Sequence, residues 1–412
     1  MNHALKIFAF ILSFIFAFLS LPSESVAKKH VNLKKEIVVS EDATIIKHPR
    51  TTFIALKSKQ AIVVDFDSAD ILLEKNATER MVPSSMTKMM TSYLIEEKIK
   101  KSEISYDTEF LISEKAWRMA GSKTFVPLGE MVRSGDLLKG IIIQSGNDAC
   151  VAAAEGLYGS EELFVDEMNK KAKEFGMKNT HFTNSSGWPD ANHYSTAYDL
   201  AILSSEIIKD HMEFYPLYSE KSFTFGKDQK GRPITQGNRN TLLYKKDTGC
   251  DGIKTGHTEE GGFGIAASFL DNGKRYIMVV NGLSSMKERT YEALVLLHWV
   301  KQNFEHKKLY AKGDIVEKAA PVLFGVKDTI PLIVEEDVVI LVPKSEQNNI
   351  NIKIDFVNPI PAPFKKGDVL GKLIVTAEEK KYETGLTGGE SVEKVGFLNR
   401  IKRFASYWIL GK

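Results

Sequence analysis

Three short fragments, far apart in the chain, constrain its fold most, because they can work together only if one domain brings them to the same place. The first is Pro83-Ser84-Ser85-Met86-Thr87-Lys88, which sets a hydroxyl and an amine one helical turn apart. Met86, Met89, Met90, Tyr93, Leu94 and Ile95 recur at helical spacing. This predicts a helix with Ser85 and Lys88 on one face of its first turn. A serine is inert at neutral pH unless a base takes its proton, and a lysine is such a base only where burial or nearby cations depress its pKa. Ser-x-x-Lys alone carries little weight, since it recurs at Ser25/Lys28, Ser284/Lys287 and Ser391/Lys394. What distinguishes Ser85 is that Ser145-Gly146-Asn147 and Lys254-Thr255-Gly256 follow it once each, in that order and at domain-scale separations.

The elements around these fragments read as an α/β domain. Strands are predicted at 52–57, 61–66 and 71–74, with the turn Asp67-Ser68-Ala69-Asp70 before the third. Residues 103–209 read mostly as helix, with segments at 136–143, 149–158, 161–175 and 196–210, and the Ser145 fragment on a loop between two of them. Strand character returns at 222–225, 252–254, 262–270 and 275–281, and a helix over 287–304 closes the region. That order describes an antiparallel sheet with flanking helices beside an all-helical lobe. From about Leu309 short apolar runs at 330–334, 338–342 and 350–356, punctuated by Pro359, Pro361 and Pro363, predict a separate small all-β domain.

At the three fragments the chain resembles the serine penicillin-binding proteins and β-lactamases, whose signature has this form. It is most similar to the serine D-alanyl-D-alanine carboxypeptidases of bacterial cell-wall maturation, which are low-molecular-mass penicillin-binding proteins, and the likeness runs from about Phe53 to the C-terminus. The resemblance implies the same fold and a mechanism in which Ser85 attacks the terminal D-Ala-D-Ala carbonyl, Lys88 takes its proton and Ser145 relays one to the leaving amine. Asn147 would orient Lys88 and hold a substrate carbonyl. Lys254 would attract the substrate carboxylate, Thr255 offer a hydroxyl, and Gly256 let extended substrate approach the strand. The backbone N–H groups of Ser85 and His257 would form an oxyanion hole. Arg239, within Asn238-Arg239-Asn240, would line the cleft with Asp210 as its partner, and Arg289 is a candidate for gripping the terminal carboxylate; each could instead be a structural ion pair. The implied partners are the peptidoglycan stem peptide and β-lactam antibiotics.

Other readings are weighed on specific features. A β-lactamase or a DD-endopeptidase would use the same residues, but no acidic omega-loop of the class A β-lactamase kind is visible. An idle wall-binding protein would only hold peptide in the cleft. None of the nine histidines forms a His-Glu-x-x-His pair, so a zinc peptidase is disfavoured and no metal or cofactor is called for. With 55 basic and 53 acidic residues, no global field argues for nucleic acid. Cys150 and Cys250 are the only cysteines, and two unpaired thiols are expected rather than a disulfide.

Both ends point to export and a surface. Residues 1–27 combine a basic start, an apolar run over 7–21 and Ser25-Val26-Ala27 before Lys28, the parts of a secretory signal cleaved after Ala27, with an uncleaved anchor as the alternative. Either places the rest of the chain outside the cytoplasm, on the outer, periplasmic face of the membrane. Residues 28–50 read as a flexible lead-in, 51–306 as the peptidase domain and 307–391 as the β domain. Residues 392–412 set Val395, Leu398, Ile401, Ala405 and Trp408 at helical spacing with Arg400, Lys402 and Arg403 on other faces. That pattern predicts an amphipathic helix on an anionic membrane surface, or else one packed on the β domain.

Overall fold

The computed structural model describes residues 45–46, 54–228, 230–346, 348–377 and 380–397. The signal segment, most of the lead-in and residues 398–412 lie outside them. In chain order, β1 (Ile45–Ile46), β2 (Gln60–Asp65) and β3 (Ile71–Lys75) lead into a 3-10 turn, Ser84–Thr87, and helix α1 (Lys88–Lys100). A helical lobe follows, with β4 (Glu109–Leu111), α2 (Glu114–Arg118), β5 (Met131–Arg133), α3 (Ser134–Lys139), a π turn Gly140–Gln144, α4 (Asn147–Tyr158), α5 (Glu161–Glu174) and α6 (Ala197–Asp210). The hairpin β6 (Ser222–Lys227) and β7 (Pro233–Gly237) precedes β8 (Cys250–Thr258), β9 (Gly262–Asp271), β10 (Lys274–Leu283) and α7 (Met286–Asn303).

The six strands of the central sheet run β1-β3-β2-β10-β9-β8, every pair antiparallel, so β8 is an edge. One face packs on the helical lobe through a core containing Met86, Met89, Met90, Tyr93 and Leu94 with Ile62, Ile277 and Val279. The other face buries Val63, Met278 and Val280 against Leu296, Leu297 and Val300 of α7. Alternation along β2 and β10 thus feeds two cores, which the period of a strand requires when both faces are covered. Helix α1 is buried at every residue from Lys88 to Glu96. It is the central pillar of the lobe, so its side chains reach water only where a cleft opens. Local signals set the helix starts: Ser160, Thr196 and Ser285 each accept a backbone N–H bond three residues on, the N-cap geometry that stabilises a helix by about 1 kcal/mol.

Several expectations are corrected. Within the supposed flexible lead-in, Ile45–Ile46 pairs with Leu73 and Glu74. Residues 54–57 form no strand; the backbone N–H groups of Lys57 and Ser58 instead bond the Glu292 carboxylate at 2.7 and 2.9 Å, so a side chain takes the place of a ladder. The helical lobe also contains the β4–β5 hairpin.

The second domain comprises β11 (Phe304–Tyr310), β12 (Ile315–Leu323), β13 (Thr329–Val334), β14 (Val338–Pro343), β15 (Ile350–Phe356), β16 (Ile360–Pro361), β17 (Val369–Ala377) and β18 (Lys380–Gly388). β11 pairs with β14, and the rest form a sheet in the order β15-β17-β18-β13-β12-β16 over a core of Leu332, Ile340, Leu373 and Leu386. β11 begins directly after α7, so the seam falls at Phe304, where His306 Nε2 lies 2.8 Å from Asp65 of the central sheet and Lys380 pairs with Asp70 at 2.7 Å. Val392 and Lys394 bridge Phe364 and Gly325. The first residues of the predicted C-terminal helix are therefore extended and sewn to the β domain.

Candidate active site

Ser85 sits in the 3-10 turn and Lys88 opens α1, so their side chains leave the same side of the backbone. Lys88 Nζ lies 2.8 Å from Ser85 Oγ, 2.8 Å from Asn147 Oδ1 and 2.6 Å from the Ser186 carbonyl oxygen. The last two can only accept. Asn147 Nδ2 donates to the Ala120 carbonyl at 2.8 Å, which turns Oδ1 toward the lysine. A neutral amine therefore commits both N–H bonds to these acceptors and aims its lone pair at Ser85 Oγ. Lys88 is fully buried, and this burial lowers its pKa to about 8, with Arg239 pushing the same way and Cys150 and Asp148 opposing. Burial and a nearby cation, the two causes a lysine base requires, are thus both present.

Ser145 and Lys254 make the second half of the cluster. Lys254 Nζ donates to Ser145 Oγ at 3.0 Å and to the Thr255 carbonyl at 3.2 Å. Burial, then the neighbouring Lys88 and Arg239, hold its pKa well below the usual lysine value. Two buried amines so close cannot both keep their protons cheaply. Ser145 has the positive φ of this loop, 62°, and its turn is closed by Gly146 N–H donating to the Gly140 carbonyl. Gly146 itself has φ of −63° and needs none of glycine's conformational freedom. Its real constraint is space, because a Cβ there would stand 2.1 Å from Thr124 Oγ1.

The edge strand β8 lies against the nucleophile turn. A Cβ on Gly256 would stand 2.8 Å from the Pro83 carbonyl and 3.2 Å from Ser84 Cβ, so this glycine admits the nucleophile turn against the strand. Ser84 Oγ and Thr258 Oγ1, 2.9 Å apart, staple strand to turn. Thr255 is buried, and His257 is exposed with its ring on Phe263 at 3.8 Å between centroids. Arg239 is exposed and donates to Ser122 Oγ at 2.6 Å. Buried Arg289 donates to the Arg239 carbonyl at 3.1 Å and so props Arg239, and its charge also acts on Lys254. Asp210 is not the partner of Arg239: it ends α6, where its carboxylate accepts from the Tyr93 hydroxyl at 2.7 Å.

Three contributors escaped the sequence reading. The Ser186 carbonyl, in the turn over 184–190, carries no side-chain signal. That turn is organised by Asn184 Oδ1, which accepts from the backbone N–H groups of Ser186, Gly187 and Trp188. Asp148, next to the Ser145 fragment, accepts from the N–H groups of Thr124, Phe125 and Val126 at 2.7 to 3.2 Å and so braces the opposite wall. Both cysteines are free; burial raises the Cys150 thiol to about 12, and it donates to the Gly146 carbonyl. Among the described residues no cluster of side chains is suited to hold a metal.

An alcohol facing a buried amine, between an antiparallel sheet and a helical lobe, defines a serine peptidase of the penicillin-binding type. Residues 40–285 match the family described as D-alanyl-D-alanine carboxypeptidase, and residues 304–394 match the penicillin-binding protein 5 C-terminal domain. The chain belongs to the D-alanyl-D-alanine carboxypeptidase family. It is 40% identical over 325 residues to the carboxypeptidase DacA of Haemophilus influenzae, covering 77% of this chain and 81% of that one. Over 361 residues it is 37% identical to DacF of Bacillus subtilis, covering 87% and 92%. The solved penicillin-binding protein 5 of Haemophilus influenzae superposes with a TM-score of 0.71 at 36% identity, covering 84% of this chain and all of that one.

Proposed function

We propose that this chain removes the terminal D-alanine from peptidoglycan pentapeptide stems through an acyl-enzyme on Ser85, and that β-lactams acylate the same oxygen. Substrate lies along the free edge of β8, with the terminal carboxylate drawn by Lys254, Thr255 and Arg239. The scissile carbonyl sits between the N–H groups of Ser85 and His257, donors of a kind worth about 3 kcal/mol each to an oxyanion. As Ser85 Oγ attacks, Lys88 takes its proton. Ser145, hydrogen-bonded to Lys254, passes a proton to the departing D-alanine amine. Water then enters where the amine left and releases the acyl group.

The single observation that carries this reading is the Lys88 amine, stripped of water and held by two obligate acceptors so that only Ser85 remains for its lone pair. Purified protein should release D-alanine from a pentapeptide and hold fluorescent penicillin covalently. Ser85→Ala should do neither while melting at the parent temperature. Rapid turnover of the penicillin would favour a β-lactamase instead, and no capture at all an idle binder.

We further propose export by residues 1–27 and attachment of the C-terminal segment, beyond the residues bridged to the β domain, to the anionic outer face of the membrane. The amphipathic pattern of the C-terminal segment supports this. No helix among the described residues is long and apolar enough to cross a membrane. Truncation after Phe397, which spares the bridges at Val392 and Lys394, should release active enzyme from membranes, and continued sedimentation with them would count against the anchor.

A further inference from the structure

Behind the nucleophile turn lies a buried histidine that the mechanism does not use. His193 is 2% exposed. Its Nδ1 is 3.0 Å from the backbone nitrogen of Thr183, which can only donate, so Nδ1 is the acceptor and the proton sits on Nε2. Nε2 in turn lies 2.8 Å from Thr87 Oγ1, between Ser85 and Lys88 in sequence. Thr183 Oγ1 and Asn184 Nδ2 also approach Nδ1, at 3.2 and 3.5 Å. One ring therefore joins the turn that carries the nucleophile to the start of the 183–188 loop, whose Ser186 carbonyl holds Lys88.

We infer that His193 is a positioning residue for the Lys88 base: its neutral ring ties Thr87 to Thr183 and thereby keeps the Ser186 carbonyl on the amine. The inference rests on Lys88 being the base. Ser185 shares the task at the middle of the loop, its N–H and hydroxyl on the Glu161 carboxylate at 3.1 and 2.7 Å and its carbonyl accepting from Thr91 Oγ1, whereas His193 is the tie to the turn that carries the nucleophile. Gly187 packs so closely that a Cβ would meet the Ser84 carbonyl and Thr87 Oγ1, and small displacements there are felt directly at Lys88. The surroundings keep the ring neutral. Burial lowers its pKa to about 4, with His181 and Lys88 acting in the same direction and only Asp190 opposing; the ring of Phe182 closes another side at 5.7 Å. A second proton would have to sit on Nδ1, against the Thr183 N–H.

If the tie is cut, the loop relaxes, water reaches Lys88 and its pKa climbs toward the ordinary lysine value. A rise of about one unit makes the neutral amine about tenfold rarer at neutral pH, with recovery in alkali. The test measures the second-order rate of acylation by fluorescent penicillin against pH, with the melting temperature alongside. Thr87→Val removes the Nε2 partner at constant shape. His193→Asn keeps an acceptor near Thr183 but loses Thr87, and His193→Gln restores a donor near Thr87.

The expected result is that Thr87→Val and His193→Asn move the acid limb about one unit alkaline, with a loss of about tenfold at neutral pH that largely disappears by about pH 9, and that His193→Gln recovers part of the shift. Lower melting temperatures with an unmoved limb, or losses equal at every pH, would overturn it. Should a His193 variant fail to fold, Thr87→Val decides alone. A parent enzyme with no acid limb, or Ser85→Ala that still labels, overturns the Lys88 reading and this inference with it; a normal parent limb unmoved in the variants overturns only the role of His193.

Discussion

Gly187→Ala is the sharpest probe of the claim that backbone geometry, more than any acidic group, sets the base. Gly187 has φ of +77° and its Cβ would lie 1.8 Å from the Ser84 carbonyl oxygen. That neighbour is backbone in the turn carrying the nucleophile, so the loop must move. Real Cβ atoms almost never come within 3.0 Å of another heavy atom, so the retreat is about 1.2 Å. Applied to the 2.6 Å bond between Lys88 and the adjacent Ser186 carbonyl, it gives a separation of about 3.8 Å, beyond hydrogen-bond range. A left-handed alanine costs about 1 to 2 kcal/mol, and losing a bond to a charge-bearing group about 1.5 to 3. The fold should therefore lose about 2.5 to 5 kcal/mol. If about 2 kcal/mol of that falls on the acylation transition state, the rate drops about 30-fold. Thermal melting and stopped-time labelling with fluorescent penicillin at neutral pH measure the two effects. A variant that melts within a degree of the parent and labels at its rate would refute the reasoning, because the loop would then have moved without disturbing Lys88.

Further expectations concern charge. Acylation should climb about tenfold per pH unit below about pH 8 and then level, since Lys88 acts only when neutral and its pKa lies at about 8; a flat profile between pH 6 and 8 would contradict this. The same depression affects stability. The unfolded lysine keeps its proton up to the ordinary lysine value of 10.5 and the folded one loses it near 8, so the unfolded chain binds more protons in that window and stability rises with pH across it, by up to about 3 kcal/mol. Chemical denaturation at pH 8 and 10 checks the sign. Arg239→Ala removes a cation that lowers the Lys88 pKa, so the acid limb should shift alkaline while KM for a pentapeptide rises; an unmoved limb with normal KM would remove Arg239 from the cleft.

Which residues take part was largely legible in the chain, because Ser85, Lys88, Ser145, Asn147 and Lys254 are side chains whose chemistry is rare in combination, and the structure brings all five together. The order of strands and helices likewise foretold an antiparallel sheet beside a helical lobe, since strands at both ends of the domain with helices inserted between them can pair only across the insertion. The proposed Asp210–Arg239 pairing failed because sequence shows charge without direction: α6 delivers Asp210 to Tyr93. Over 54–57 the predicted strand failed for a related reason, as the adjacent backbone N–H groups of Lys57 and Ser58 meet the Glu292 carboxylate and not another backbone.

What only the tertiary structure decided is how the lysine becomes a base. The Ser186 carbonyl belongs to a main-chain atom that any residue possesses, and the burial of Lys88 comes from α1 being enclosed on all sides by elements far away in the chain. The glycines show the same division. Gly146 and Gly256 are visible as letters, yet the Thr124 hydroxyl and the Pro83 carbonyl that forbid a side chain there are supplied by other segments. Composition and periodicity record what each residue can do. Desolvation and the direction of a lone pair arise only when distant segments close over it.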